Sequence, residues 1–211
     1  MNLPGIAAAL VAGAAVFKAA FDIATPTKPL LPPGAWPVDQ FEAQCIKCGK
    51  CLEACPYQAI HVAGSEAGAL AGVPAIDARE QACRLCADFP CIAACPTGAL
   101  SPVDSKKDVR MGTAVIDEDT CLSFKGMRCE VCYRACPLID DAITIDYRKR
   151  EGDSLHAVFA PIINEESCVG CGLCVERCVV SDPAPAIRIE GYRGAGKQQR
   201  ERRQQHQGSQ G

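Results

Sequence analysis

The 211-residue sequence predicts an α+β, loop-rich fold made of four repeats of one small unit. Three observations predict it. Sixteen cysteines fall into four groups of four at tightly constrained spacing. Short apolar, β-rich stretches flank the groups. Aromatic residues make up only 5% of the chain, so covalent or metal staples must replace part of an apolar core.

The first group is Cys45, Cys48, Cys51 and Cys55, followed by Pro56, which is the run C-x2-C-x2-C-x3-C-P without deviation. The second is Cys83, Cys86, Cys91 and Cys95, followed by Pro96, with two extra residues between its second and third cysteines. The third is Cys121, Cys129, Cys132 and Cys136, followed by Pro137, its first interval stretched by Leu122–Arg128. The fourth is Cys168, Cys171, Cys174 and Cys178, unstretched, with Val179 in the place of proline.

Disulfides, structural zinc and iron–sulfur clusters compete to explain such a count. Disulfides impose no repeating C-x2-C-x2-C-x3-C-P run. Zinc ribbons use C-x2-C pairs separated by longer loops, with no cysteine lent between sites. A [4Fe–4S] cubane needs a thiolate at each of four iron corners, and a short loop supplies only three. In the two-cluster ferredoxin arrangement the fourth cysteine of a run ligates the cluster of its partner run. Four runs therefore predict four [4Fe–4S] clusters, with all sixteen cysteines as ligands through iron. The following proline, with fixed φ and no N–H, suits a helix that opens at the fourth cysteine.

The elements follow in order. Ala114–Asp117, Ala142–Ile145, Ala157–Ile163 and Ala186–Ile189 read as short strands, and Glu53–Ile60, Ile92–Leu100 and Val131–Leu138 as short helices. Strand, cysteine loop, helix and strand thus repeat as half-ferredoxins, and two halves make one two-cluster fold. The predicted fold is a tandem of ferredoxin-like two-cluster [4Fe–4S] folds. Sequential pairing of the runs (first with second, third with fourth) and nested pairing (second with third, first with fourth) both fit, because the gaps between runs are similar.

A net charge of −3 offers no basic field for nucleic acid, and no Walker or Rossmann glycine loop is present. His61, His156 and His206 stand outside any ligand spacing and read as surface or strand residues. The acid pairs Asp140–Asp141 and Glu165–Glu166 read as solvated turns beside the runs, where their charge would help set a cluster potential.

From about Leu31 to Glu190 the residues carry a family resemblance. It rests on Pro32-Pro-Gly-Ala ahead of the first run, Phe89-Pro-Cys with Cys95-Pro-Thr-Gly-Ala-Leu, and Arg110-Met-Gly-Thr-Ala-Val. Gly126-Met-Arg-Cys-Glu-Val-Cys-Tyr-Arg-Ala-Cys-Pro, with its stretched first interval, is the most specific part. These stretches resemble the ferredoxin-type proteins of the periplasmic nitrate reductase and methylamine-utilisation operons. The resemblance implies a periplasmic, membrane-associated electron-transfer protein, not catalytic alone, that works with a polytopic membrane quinol-oxidising partner. Electrons would pass towards a periplasmic reductase or cytochrome. The second run also resembles iron–sulfur subunits of multi-subunit molybdopterin oxidoreductases, although the fourth run lacks their longer insertion. A maturation factor that uses its clusters structurally is a third reading.

Four domains are expected: an apolar N-terminal segment (1–24), a Pro-rich linker (25–40), the four-run region (41–192) and a disordered basic, Gln-rich tail (193–211). Ile6–Ile23 resembles the hydrophobic part of an export signal or an anchor, but Lys18 and Asp22 interrupt it and no arginine precedes Arg79. If that segment is neither, the expected location is the cytoplasm.

Overall fold

The computed structural model describes residues 28–150 and 153–191. The apolar segment 1–24 and the tail 193–211 lie outside the described residues, as does His206. Helix α1 spans Val38–Gln44 and α2 Lys50–Glu53. Strand β1 (His61–Val62) is followed by a 3-10 turn over Ser65–Leu70, by β2 (Pro74–Ala75) and by α3 (Pro90–Ala93). Beyond a second 3-10 turn at Lys106–Asp108 come β3 (Thr113–Ile116), α4 (Val131–Ala135), β4 (Ile143–Arg150), β5 (Asp153–Ile163), α5 (Leu173–Arg177) and β6 (Ile187–Glu190).

The same topology occurs twice. Chain before the first cysteine loop of a unit pairs antiparallel with chain after its second loop, and a hairpin fills the interval between the loops. In the first unit the outer pairing is the bridge Ala35–Leu100 and the inner hairpin is β1–β2. In the second unit the outer pair is β3–β6, with Ala114 opposite Ile189, and the inner hairpin is β4–β5, running from Ile143 opposite Ile163 outward. The runs are therefore paired sequentially, first with second and third with fourth.

All four predicted strands are present, and the two of the inner hairpin run well past the predicted lengths. The helices differ from prediction. They are a single turn long and end before the fourth cysteine instead of running past it: α2 ends at Glu53, ahead of Cys55, α3 at Ala93, ahead of Cys95, and α4 starts at Val131 as predicted but ends at Ala135. Cys136 and Cys178 are the C-terminal caps of α4 and α5, with extended ψ of 125° and 127°. A residue before proline is pushed out of the helical region, so the proline closes the turn. Cys178 adopts the same ψ ahead of Val179.

The 25–40 linker is a second correction. From Leu30 onward this stretch is part of the core: Leu31, Pro32 and Pro33 are among the largest fully buried side chains, with Phe41 of α1. Leu30 bridges to Ile76, Trp36 N–H bonds to Ala99 O at 3.3 Å, and the indole Nε1 donates to Gly98 O at 2.8 Å. Prolines lack the N–H that would need a partner, so they can be buried at little polar cost. Burial of Phe41 alone contributes about 2–3 kcal/mol.

One continuous apolar cluster joins the units, from Leu31 and Phe41 through Met111 to Val169, Val175 and Ile187. Met111 N–H donates to Val169 O at 3.0 Å across the junction. Among the described residues no helix is long and apolar enough to cross a membrane.

Candidate metal centres

Each run folds its first three cysteines around a hollow, and a fourth cysteine enters from the partner run. The first hollow is lined by Cys45, Cys48 and Cys51 with Cys95 of the second run. The second is lined by Cys83, Cys86 and Cys91 with Cys55 of the first run. Cys121, Cys129 and Cys132 line the third with Cys178, and Cys168, Cys171 and Cys174 line the fourth with Cys136. Cys132 also reaches the wall of the fourth hollow. The non-atom space of the four, mouths included, is about 350, 350, 380 and 380 Å³ in that order, as alike as one repeated occupant requires.

The one-turn helices explain the exchange. In each, the third cysteine lies within or beside the turn and the fourth follows its end, so the two thiols serve adjacent hollows. α2 packs on α3, and α4 on α5. The loops ahead of the helices need left-handed backbone at matching places. Lys47 (φ 55°), Leu85 (φ 51°) and Gly170 (φ 71°) each stand two residues after the first cysteine of a run. Gly170 is required for a second reason, since a Cβ there would lie 2.3 Å from the Gly112 backbone.

None of the sixteen cysteines is joined in a disulfide, and they are gathered in fours around the hollows. Cys48 is exposed and the others are half-buried or buried. Burial pushes Cys51 up to about 11, and Cys83, Cys91, Cys132 and Cys171 up to about 12. Cys174 is pushed well above the usual thiol range for the same reason. At Cys95 burial acts in the same direction but is outweighed by hydrogen bonds from Leu100 N–H and from Thr97, and its thiol is lowered. Crowded, desolvated thiols of this kind hold protons unless a positive centre stabilises the thiolates.

Backbone N–H groups face several sulfurs: Ala59 N donates to Cys55 Sγ and Ala114 N to Cys168 Sγ, both at 3.4 Å, and Thr97 Oγ1 lies 3.8 Å from Cys95 Sγ. Thr97 and Ala114 lie in the stretches Cys95-Pro-Thr-Gly-Ala-Leu and Arg110-Met-Gly-Thr-Ala-Val that carry the resemblance, but their role as partners of sulfur shows only in the fold. Among the described residues, no group of three or more His, Cys, Asp or Glu is placed to hold a single metal ion. Four thiols around a shared space, with N–H donors on the sulfurs, fit a cluster that presents one iron corner to each.

His61 is exposed on β1, and the backbone of His156 lies in β5. Asp140 accepts from Tyr133 Oη at 2.6 Å, and Asp141 pairs with Lys107 at 2.6 Å. All four residues of the two acid pairs are exposed.

The duplicated topology and the paired cysteine hollows define a class, the iron–sulfur dicluster proteins. The family model for the 4Fe-4S dicluster domain matches residues 44–99 and again 125–181. The ferredoxin-type protein NapG of Escherichia coli is 44% identical over 74% of this chain and 68% of its own length. The methylamine utilization ferredoxin-type protein MauM of Methylophilus methylotrophus is 45% identical over 80% of this chain and 77% of its own. NapG of Haemophilus influenzae is 43% identical over 75% of this chain and 58% of its own. The chain belongs to the NapG/MauM family of ferredoxin-type proteins and is an iron–sulfur, 4Fe-4S electron-transfer protein. A chain of a formate dehydrogenase–heterodisulfide reductase–formylmethanofuran dehydrogenase complex from Methanospirillum hungatei is 21% identical, covering 78% of this chain and 55% of its own. Its TM-score of 0.29 is too low to carry an argument.

Proposed function

We propose that this chain is a relay with four [4Fe–4S] clusters, one per hollow, held by the sixteen cysteines in the four sets that line the hollows. The observation that carries the reading is the fourfold recurrence of three cysteines from one run and a fourth from its partner around hollows of matching size. Bound clusters supply reversible one-electron chemistry. The chain's own part is to hold thiolates at fixed places, exclude water, and set potential through N–H donors and nearby charge.

On this reading the donor is a polytopic membrane quinol-oxidising protein and the acceptor a periplasmic reductase or cytochrome, with the chain periplasmic and membrane-associated. Support comes from membership of the NapG/MauM family and from the lack of any second cofactor motif, which leaves donor and acceptor to other proteins. The test is anaerobic mixing of the oxidised protein with membranes carrying such a partner and a reduced quinol. Bleaching of the cluster absorption that needs both membrane partner and quinol is the expected result. Bleaching without the partner, or none with it, overturns the assignment.

A further inference from the structure

The two units meet along a seam of unusually close contacts. Cys83 N–H donates to Cys171 O at 3.0 Å, so one hydrogen bond links a cysteine of the second hollow to a cysteine of the fourth. Arg84, which lines the second hollow, pairs with Glu176 at 2.9 Å, and the other carboxylate oxygen of Glu176 accepts from Ala82 N–H at 2.8 Å. Arg79 donates to the carbonyls of Val175 and Cys178 at 3.0 and 2.9 Å, clamping the end of α5. Gly172, in the wall of the fourth hollow, has φ 86°, and a Cβ there would lie 2.6 Å from that of Ala78. Any larger residue would wedge the seam open.

Within each unit the neighbours are set by the helices. Cys51 and Cys55 flank the end of α2 and serve the first and second hollows, and Cys132 lines both the third and the fourth. Each hollow is lined only by residues of its own unit, so the neighbours across the junction are read from the seam. Its contacts at Cys83, Arg84, Cys171 and Gly172 fall on the second and fourth hollows, and one, from Arg79 to the Cys178 carbonyl, falls beside a cysteine of the third.

We infer that the four sites form a single row in the order first, second, fourth, third. The Arg84–Glu176 seam is the crossing between the units, and the first and third sites are the two ends. The chain order of the runs is therefore not the spatial order, and partners that deliver and collect electrons meet the first and third sites. Arg84 and Glu176 act as positioning residues: their pair holds the crossing together, with the Arg84 charge in the wall of the second site. The row rests on the four-cluster reading above.

The test uses full-length protein with two sites disabled, reduced and examined by EPR, with iron measured on each sample. Replacing Cys45, Cys48, Cys121 and Cys129 by serine leaves the second and fourth sites, whose signals are expected to stay mutually broadened by spin coupling. Replacing Cys45, Cys48, Cys168 and Cys174 leaves the second and third, which are expected to give two narrow, independent signals. Coupling in the second sample and none in the first overturns the order. Iron content that does not fall in either sample overturns the cluster reading instead.

Should these variants fail to fold, Arg84→Gln in the otherwise intact protein serves. With iron per chain unchanged, the transition of the second site is expected to move to lower potential, because a positive charge in the wall of its hollow is lost, and the coupling between the second and fourth sites is expected to weaken as the Arg84–Glu176 pair is broken. A shifted first- or third-site transition with the second unmoved, or coupling between the second and fourth sites left unchanged, contradicts the seam as the crossing.

Discussion

The two units solve the same problem with different means of support. The second builds its outer pair from full strands, β3 and β6, and extends its inner hairpin over Ile143–Arg150 and Asp153–Ile163. The first has an outer pairing of one bridge and a hairpin of two residues per strand, and it is closed instead by Leu31, the buried prolines and Phe41. Both nonetheless carry the same exchange of fourth cysteines. The cysteine loops and one-turn helices therefore specify the sites, and the strands around them are interchangeable scaffolding.

Ligand variants would break that comparison most severely. Cys55→Ser is expected to empty the second site and Cys178→Ser the third, each with a loss of about four irons of about sixteen. Because Cys55 and Cys83 share a hollow, the double variant Cys55→Ser/Cys83→Ser should cost no more iron than either single change. Cys55→Ser/Cys45→Ser, which strikes two hollows, should cost about twice as much. Iron analysis of the five proteins decides between exchange and self-contained runs.

Acid comes next in size. Thiols pushed up by burial hold their protons at neutral pH in the metal-free site, so cluster binding releases protons and grows more favourable as pH rises. Each proton released adds about 1.4 kcal/mol per pH unit. Loading is thus expected to fall between pH 8 and pH 6 in both units, which share thiols raised to about 12 (Cys83 and Cys91, Cys132 and Cys171). EPR during slow acidification follows the loss.

Core truncation separates the two kinds of support. Phe41→Ala should destabilise the holoprotein by about 3–5 kcal/mol. Tyr147, 68% exposed on β4 and edge-on to Phe159 at 5.2 Å, should lose only about 0.5–1.5 kcal/mol on change to Ala. Thermal unfolding of both variants measures the contrast. The smallest effect is Thr97→Ala, which removes a weak donor to Cys95 Sγ and should lower one potential by about 0.5 kcal/mol, or roughly 20 mV.

The cysteine runs were legible in the sequence because ligand spacing is a local property, and so were the four strands, from their β-branched residues. Which runs pair was not, since equal gaps fit two topologies and the choice is made by the packing of α2 on α3 and α4 on α5. The helices were extended past the fourth cysteine because proline suits a helix start as well as a stop, and here its steric effect on the preceding cysteine governs, although the Val131 start of α4 was legible. Pro32 and Pro33 read as linker by composition, yet they are buried in a stretch whose flanking residues Leu30 and Ala35 bridge to Ile76 and Leu100, far along the chain. Arg79, Arg84 and Glu176 had no local pattern at all, because the seam exists only once the units are folded together.

The most direct test of the central claim is iron and acid-labile sulfide per chain on anaerobically purified protein, with EPR after dithionite reduction. About sixteen of each with interacting reduced-cubane signals is the predicted result. Zinc in place of iron, or about eight irons with a single coupled pair, would contradict the assignment of a cluster to each of the four hollows.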